Sequence, residues 1–329
     1  MSVCPQLSYA YRLLYVLNEG VGVTWSTEDL IERVGGGSED IEECIAQLGR
    51  LGFPLARDPG GGVSLLPGVD ILDRAFIRSR VGSIPIGYEI HYHLETGSTN
   101  DLAMEAARSG ASHGSVFVSE HQTRGRGRLG RSWFSPPGSG LWFSVVLRPG
   151  LRLADSWMVT LGAATAIARA VESTCGIAPN LKWPNDLRYR GKKICGILTE
   201  AVPLRGKLDV AVLGIGINVN QDTRELPLDL QGNAISLKQA TGRAVSRSEL
   251  LATVLEELDL TIKNLNPGIV REAWLSRTDM LGAEVCVIVE KRTITGVAVD
   301  LTSKGALVVR DSGGGMHHVE TGEVTQVSV

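Results

Sequence analysis

Hydrophobic positions repeat with a helical period at the start of the chain. Residues 7 to 18 (LSYAYRLLYVLN) carry one apolar stripe. STEDLIERVG opens with a capping box, Ser26 with Asp29, and closes on Gly35. SEDIEECIAQLGRLG takes Ser38 as its N-cap and sets Ile41, Ile45, Leu48 and Leu51 at spacings of four, three and three. FPLARDPGGGVSLLP then reads as strand, glycine turn, strand. Three helices followed by such a hairpin are the parts of a winged helix-turn-helix.

The pattern changes after a linker helix within 67–85. A helix at STNDLAMEAARSG precedes apolar strands at 115–119, 140–148, 194–202 and 209–219. The long helix DSWMVTLGAATAIARAVEST lies among them, its small residues suited to close packing on a sheet. SRSELLATVLEELDLTIKNL is an amphipathic helix with acids on its polar side. From 280 onward the elements are short strands, with turns predicted at Gly296, Gly305 and 313–315. The fold class expected is α+β: a winged-helix unit at 1–66, a central mixed sheet with flanking helices at 86–278, and a small β-barrel module at 279–329.

Composition adds bounds. The chain has 329 residues, 43% of them hydrophobic, and a formal net charge of −3, so nothing general favours nucleic acid or an anionic membrane. The start has no basic n-region and Arg12 interrupts its apolar run, against a signal peptide. The apolar run at 210–219 is too short to span a membrane. Five scattered cysteines without a C-x-x-C spacing argue against a disulfide framework or zinc site, and make the cytoplasm the default compartment.

Against this background QTRGRGRLGRSW, residues 122–133, holds four arginines and three glycines in twelve positions. Glycine lets backbone amides approach a ligand, and arginine forks match phosphate or carboxylate. The run lies between core strands, and Trp133, Phe134, Trp142 and Phe143 crowd beside it although aromatics are 5% of the chain. Those neighbours favour a ligand-ordered loop over a solvated basic run. In LKWPNDLRYRGKKICGIL (181–198), a turn at WPND leads to a basic hairpin tip, and Lys193 stands at the mouth of a buried strand. Asp186 is a candidate magnesium ligand. In LGIGINVN (213–220), Gly214 and Gly216 predict close approach by a ligand or another backbone, and Asn218 gives the strand a polar end. TGSTNDLA (96–103) is a helix start whose free amides can receive ligand atoms, with Ser98 or Thr99 as cap.

STN, GRGRLGRSWFSPPGSGLWFS, KWPNDL with KKICGIL, and GIGINVN, in this order, resemble the biotin–protein ligases. The resemblance runs from about 90 to the end, including TGEVTQV. Lipoate ligases share the underlying fold but not the paired GRGRxGRxW and KWPND motifs. The N-terminal helices and hairpin are similar to the subgroup that also represses transcription. The resemblance implies a sheet related to class II synthetases. It implies attack of the biotin carboxylate on the α-phosphate of Mg·ATP, then transfer from biotinyl-5′-adenylate to a lysine of a biotin carboxyl carrier protein domain.

By the same resemblance, Ser98, Thr99, Asn100 and Gln122 line the biotin ureido end. Gly125, Arg126, Gly127 and Arg128 belong to the loop closing over biotin and adenylate, and Arg126 and Arg128, with Lys193, are the catalytic residues the resemblance implies. Lys193 neutralises the biotin carboxylate; Lys182, Trp133, Gly214, Gly216 and Asn218 serve the nucleotide, and Asp186 the magnesium. Cys195 is a core residue, His121 takes no role, and His317 and His318 are surface strand residues. Family members dimerise through sheet edges, so a homodimer is open here.

One feature of the N-terminal unit opposes DNA binding. Residues 1–65 hold four arginines against nine acids, a net −5, and Glu39, Asp40, Glu42 and Glu43 occupy the first turns of the third helix, where a recognition helix meets the major groove. Phosphate contacts by basic groups supply most nonspecific affinity, so this surface repels duplex DNA. The ligase activity is therefore expected first; operon repression and lipoate ligation are the alternatives.

Overall fold

The computed structural model describes residues 9–68, 70–204, 207–289 and 292–326; positions 7 and 8 of the expected first helix lie outside them. The first apolar stripe forms α1 (Tyr9–Glu19), burying Leu13, Leu14 and Leu17 with Leu30 of α2 (Thr27–Val34) and Ile41 and Leu48 of α3 (Ser38–Arg50). The Ser26–Asp29 capping box forms in both directions. The cap of α3 is Gly37, not Ser38, which is already helical. Asp40 reaches back to accept from the Gly37 amide at 2.7 Å, so the N3 carboxylate does the capping without a hydroxyl ahead of it. The hairpin pairs β1 (Leu55–Arg57) with β2 (Val63–Leu65), and Trp25 bridges to Val63. Helix α4 (Arg74–Val81) then leads to the central sheet.

That sheet is built from β3 (Ile90–Thr96), β4 (Val116–Gln122), β5 (Leu141–Leu147), β6 (Asn180–Lys182), β7 (Asp186–Tyr189), β8 (Lys192–Leu204) and β9 (Lys207–Ile217), in the order β3-β4-β5-β9-β8-β7-β6. Only β3 and β4 run parallel; helix α5 (Thr99–Arg108) makes the crossover between them. Strand alternation divides the sheet's two faces. Phe117, Val146, Val210 and Val212 pack under Ala103 and Ala107 of α5, while Val116, Val118, Val145 and Leu213 face the main core. The main core includes α6 (Trp157–Cys175), which packs against a later helix at Arg247–Lys263. Thirteen of the residues of α6 are buried, mostly alanine and small aliphatics, which lets its neighbours approach closely.

Short helices α7 (Leu228–Gln231) and α8 (Leu237–Thr241) precede α9 (Arg247–Lys263) and α10 (Pro267–Leu275). The C-terminal strands are β10 (Glu284–Val289), β11 (Arg292–Leu301), β12 (Leu307–Arg310), β13 (Met316–Val319) and β14 (Glu323–Gln326). They form one antiparallel sheet in the order β13-β12-β11-β10-β14. Turns occur at Gly305 and 313–315, but Gly296 lies inside β11, paired with Val285. A Cβ there would meet the Arg310 carbonyl at 2.3 Å, so this glycine marks close strand approach rather than chain reversal.

A buried charge cluster that the amphipathic pattern of α9 conceals ties these parts together. Arg247, fully buried in the first turn of α9, donates to Glu120 Oε2 of β4 at 2.6 Å and to the Gly140 carbonyl at 3.1 Å. It also contacts the Asp70 carboxylate at 3.3 Å. Burial opposes its charge, but Glu120 and Asp70 together hold its pKa up. Tyr11 of α1 lies beside this cluster, its hydroxyl pushed above its ordinary range by burial and by Glu120.

Candidate active site

The pairing register builds a floor. Trp142, Gly216 and Gly196 lie side by side across β5, β9 and β8; Ser144, Gly214 and Leu198 form the next row, and Val146, Val212 and Glu200 the next. Along β9 the same face therefore runs Val210, Val212, Gly214, Gly216, with valine under α5 and glycine where the helix ends. Side chains from within the chain fill the space the glycines leave. A Cβ on Gly214 would lie 2.0 Å from Asn100 Oδ1, and one on Gly216 2.4 Å from the Trp133 ring. The close approach predicted at these positions is thus made by side chains, not by another backbone.

Above this floor is a cavity of about 420 Å³. One end is lined by the uncharged side chains of Ser98, Thr99, Asn100 and Gln122, the last three held in a hydrogen-bond network. Thr99 N donates to Gln122 Oε1 (2.9 Å), Ser144 Oγ to Asn100 Oδ1 (2.6 Å), and Gln122 Nε2 to Ser135 Oγ (2.9 Å). Because the Ser144 proton goes to Asn100, the 2.8 Å contact between the Thr99 and Ser144 hydroxyls has Thr99 as donor. Ser98 is the N-cap of α5 by backbone geometry, without a side-chain cap bond.

The other end is cationic. Arg128, Arg131, Lys182, Arg188 and Lys193 line it against two acids, Asp186 and Glu323, while Arg126 lies on Glu200 and Asp101 beside the neutral end. Lys193 Nζ stands 2.7 Å from Asp186 Oδ1 and 5.2 Å from the centre of the Trp133 ring. Its backbone is pinned on both sides, to Asn233 O and Ile235 N. Burial, then the charge of Arg188, pulls Lys182 down to about 8. Asn218 lines the wall while bridging Lys193 O (3.3 Å) and the Gln221 amide (2.6 Å). Cys195 is wholly buried in the core, where desolvation raises its thiol pKa.

The arginine-glycine stretch roofs the cavity. Its root is fastened by Thr123 N to Thr96 O and Arg124 N to Gly97 O. Gly127, Arg126 and Arg128 line the cavity; Gly125 does not. A Cβ on Gly125 would press on the Trp133 carbonyl at 2.4 Å, so it lets the two legs of the loop close on each other. Of the aromatics beside the loop, Trp133 rests on the glycine floor and Phe134 is exposed, whereas Trp142 and Phe143 are fully buried. Arg128 donates to Asn185 Oδ1 and Gly322 O, each at 3.2 Å, and Arg131 pairs with Glu323, which it holds below the ordinary carboxylate range. These contacts, with Trp183 Nε1 to Gly305 O at 3.1 Å, make the C-terminal sheet one wall of the site.

The sequence pattern gives no notice of Ser144, Arg188, Glu200 or Glu323, and offers Asn185 only as a residue of the WPND turn. A glutamate inside the apolar run ICGILTEAV is the one visible signal among them. For magnesium, no group of three or more His, Cys, Asp or Glu side chains stands together among the described residues. The donors fit an ion that arrives on a phosphate and needs one protein carboxylate, such as Asp186. His121 pairs with Glu95 at 3.0 Å, and His317 with Asp311 at 2.7 Å.

A strand-floored cavity with one neutral polar end, one cationic end and an arginine roof defines a site for a polar ligand joined to an anion. Comparison with known proteins gives that class its family. The model of the biotin/lipoate A/B protein ligase family matches residues 95–218, and that of the biotin protein ligase C terminal domain matches 280–325. The bifunctional ligase/repressor BirA of Bacillus subtilis is 30% identical over 88% of this chain and 90% of its own. The biotin--[acetyl-CoA-carboxylase] ligase of Mycobacterium tuberculosis is 32% identical over 78% of this chain and 96% of its own. The structure of the Aquifex aeolicus biotin protein ligase in complex with biotin and ATP aligns with TM-score 0.63 at 32% identity, covering 74% of this chain and 100% of that one. The chain belongs to the biotin protein ligase family.

Proposed function

We propose that this chain is an ATP-dependent ligase that activates biotin and transfers it to a lysine of a biotin carboxyl carrier protein domain. The observation that carries this is the meeting, in one cavity, of Ser98 and the networked Thr99, Asn100 and Gln122, backed by Ser144 beneath them, with the cations Lys182, Lys193, Arg128 and Arg188. The first end suits an uncharged ureido head; the second holds a carboxylate and phosphates together against their repulsion. In the first step a biotin carboxylate oxygen bonds to the α-phosphorus of ATP as the bond to the β-phosphate oxygen breaks and diphosphate leaves. Lys193 steadies the carboxylate, and Arg128 and Lys182 stabilise the charge growing at phosphorus. Asp186 would hold a magnesium ion arriving with the nucleotide, which would supply further charge neutralisation. In the second step the carrier amine bonds to the acyl carbon, a proton leaves the amine, and AMP departs. Trp133 and Asn218 serve the nucleotide.

The three helices and hairpin of the N-terminal unit support assignment as a winged helix, and the C-terminal sheet as an SH3-like barrel. Glu39, Glu42 and Glu43 are exposed on α3, and the hairpin's Arg57 is paired with Glu42 at 2.5 Å, so an acid stands beside the one arginine of the hairpin. This favours the ligase activity over a repressor role. The test is a mass measurement of a carrier domain incubated with the protein, biotin and Mg·ATP. A single biotinyl addition at one lysine is expected; an unmodified carrier beside active enzyme would contradict transfer to this partner.

A further inference from the structure

Two arginines of the roof, two positions apart, stand in opposite surroundings. Arg128 has only carbonyl partners, Asn185 Oδ1 and Gly322 O, and burial weakens its hold on its proton. Its charge is unmatched by direct contact and available to an anion. Arg126 is already matched. Its Nη1 and Nη2 bond both oxygens of Glu200 at 3.1 and 2.6 Å, and Nη2 lies 2.8 Å from Asp101 Oδ1. Two carboxylates around one guanidinium leave a local net charge of −1, which repels an anion rather than attracting it.

We propose that Arg126 is the bolt of a latch that holds the loop closed, with Glu200 and Asp101 as its keeper. Glu200 is then a positioning residue for the reaction, and Arg126 does not act on the reacting atoms. The keeper is built into the floor: Glu200 stands on β8 in the row of Val212, and Asp101 in the first turn of α5. Glu200 has a second task. Its Oε2 accepts from Asn100 Nδ2 at 2.8 Å, and a carboxylate can only accept. The Asn100 amide is therefore oriented with Nδ2 toward Glu200 and Oδ1 toward Ser144, and this fixes the donor direction through Ser144 to Thr99. One carboxylate thus joins closure of the roof to the hydrogen-bond polarity of the neutral end. That the neutral end receives the biotin head rests on the function proposed above; the latch itself does not.

Both arms of the latch are partly exposed, so it is screened by salt and reversible, as a lid fastener must be. The measurement is hydrogen–deuterium exchange of the backbone at 123–135 in the unliganded protein, for wild type, Glu200→Gln, Arg126→Gln, the double variant and Asp101→Asn. Each of the first two single variants is expected to speed exchange roughly fivefold at low salt. The double variant is expected to do no more than Arg126→Gln alone, the non-additivity that marks a direct pair. Asp101→Asn, exposed and outside the amide network, gives a smaller change in the same direction. Added salt accelerates the wild type, moves Glu200→Gln less because the Arg126–Asp101 pair remains, and leaves the double variant unmoved.

Exchange unchanged in Glu200→Gln and Asp101→Asn, or additive effects in the double variant, would overturn the latch. So would slowed diphosphate release in Arg126→Gln with loop exchange unaltered. Since the exchange measurement needs no ligand, failure of the latch and failure of the biotin assignment are separate results.

Discussion

Lys182 and Lys193 sit in the same cavity, yet their partners differ. Lys193 is held by Asp186 at 2.7 Å, whereas Lys182, half-buried and facing Arg188, is pulled down to about 8. Lys182 is therefore charged below that pH and neutral above it. An anionic ligand favours the charged form, so ligand binding near pH 8 is accompanied by proton uptake at this side chain. The KM for ATP is expected to rise as pH climbs through this value, by up to about tenfold per unit once the lysine is mostly neutral. Lys182→Arg, which stays charged, should flatten that profile. A wild-type profile already flat between about pH 7 and 9 would show that Lys182 does not meet the nucleotide.

At the scale of elements, the ion pair between Arg247 of α9 and Glu120 of β4 is the least replaceable contact, because both partners are almost wholly buried. Arg247→Leu strands Glu120 in the core and is expected to cost about 3–5 kcal/mol, seen as a fall in melting temperature. Arg152→Ala, at the exposed Arg152–Asp155 pair, should leave melting unchanged within error. Equal melting of both variants and the wild type would remove the cluster from the account of stability.

This cluster also marks the limit of what periodicity carries. Helices α1, α2 and α3, the strands β4, β5, β8 and β9, and the long α6 were legible because apolar spacing records burial one element at a time. Arg247 read as one more polar residue at a helix start, since its acid partners lie 127 and 177 positions away. The site divided the same way. Lys193, Arg128, Trp133 and Asn100 could be named from motifs, but Ser144 and Glu200 gain their meaning from cross-strand register, which one sequence does not display. Gly296 failed for a related reason: a glycine chosen for strand contact looks like a glycine chosen for a turn.

In the whole molecule the central sheet and the C-terminal sheet share one cavity, through Gly322 and Glu323, while Tyr11 of α1 and Asp70 before α4 meet the central sheet at the separate Arg247–Glu120 cluster. The molecule's N-terminal surface is acidic where a duplex reader is basic. Binding of duplex DNA in about 0.15 M salt is expected to be undetectable by mobility shift, even with biotin and ATP present. A shift specific to the gene's upstream sequence, weakening with salt, would restore the repressor role.

The most direct test of the central claim is diphosphate release from Mg·ATP, measured with biotin, with lipoate and with neither, for wild type and Lys193→Ala. Release with biotin alone is predicted, reduced by roughly 10²–10³-fold in the variant. Release driven by lipoate, or equal release by the folded Lys193→Ala protein, would contradict the assignment of this cavity to biotin activation.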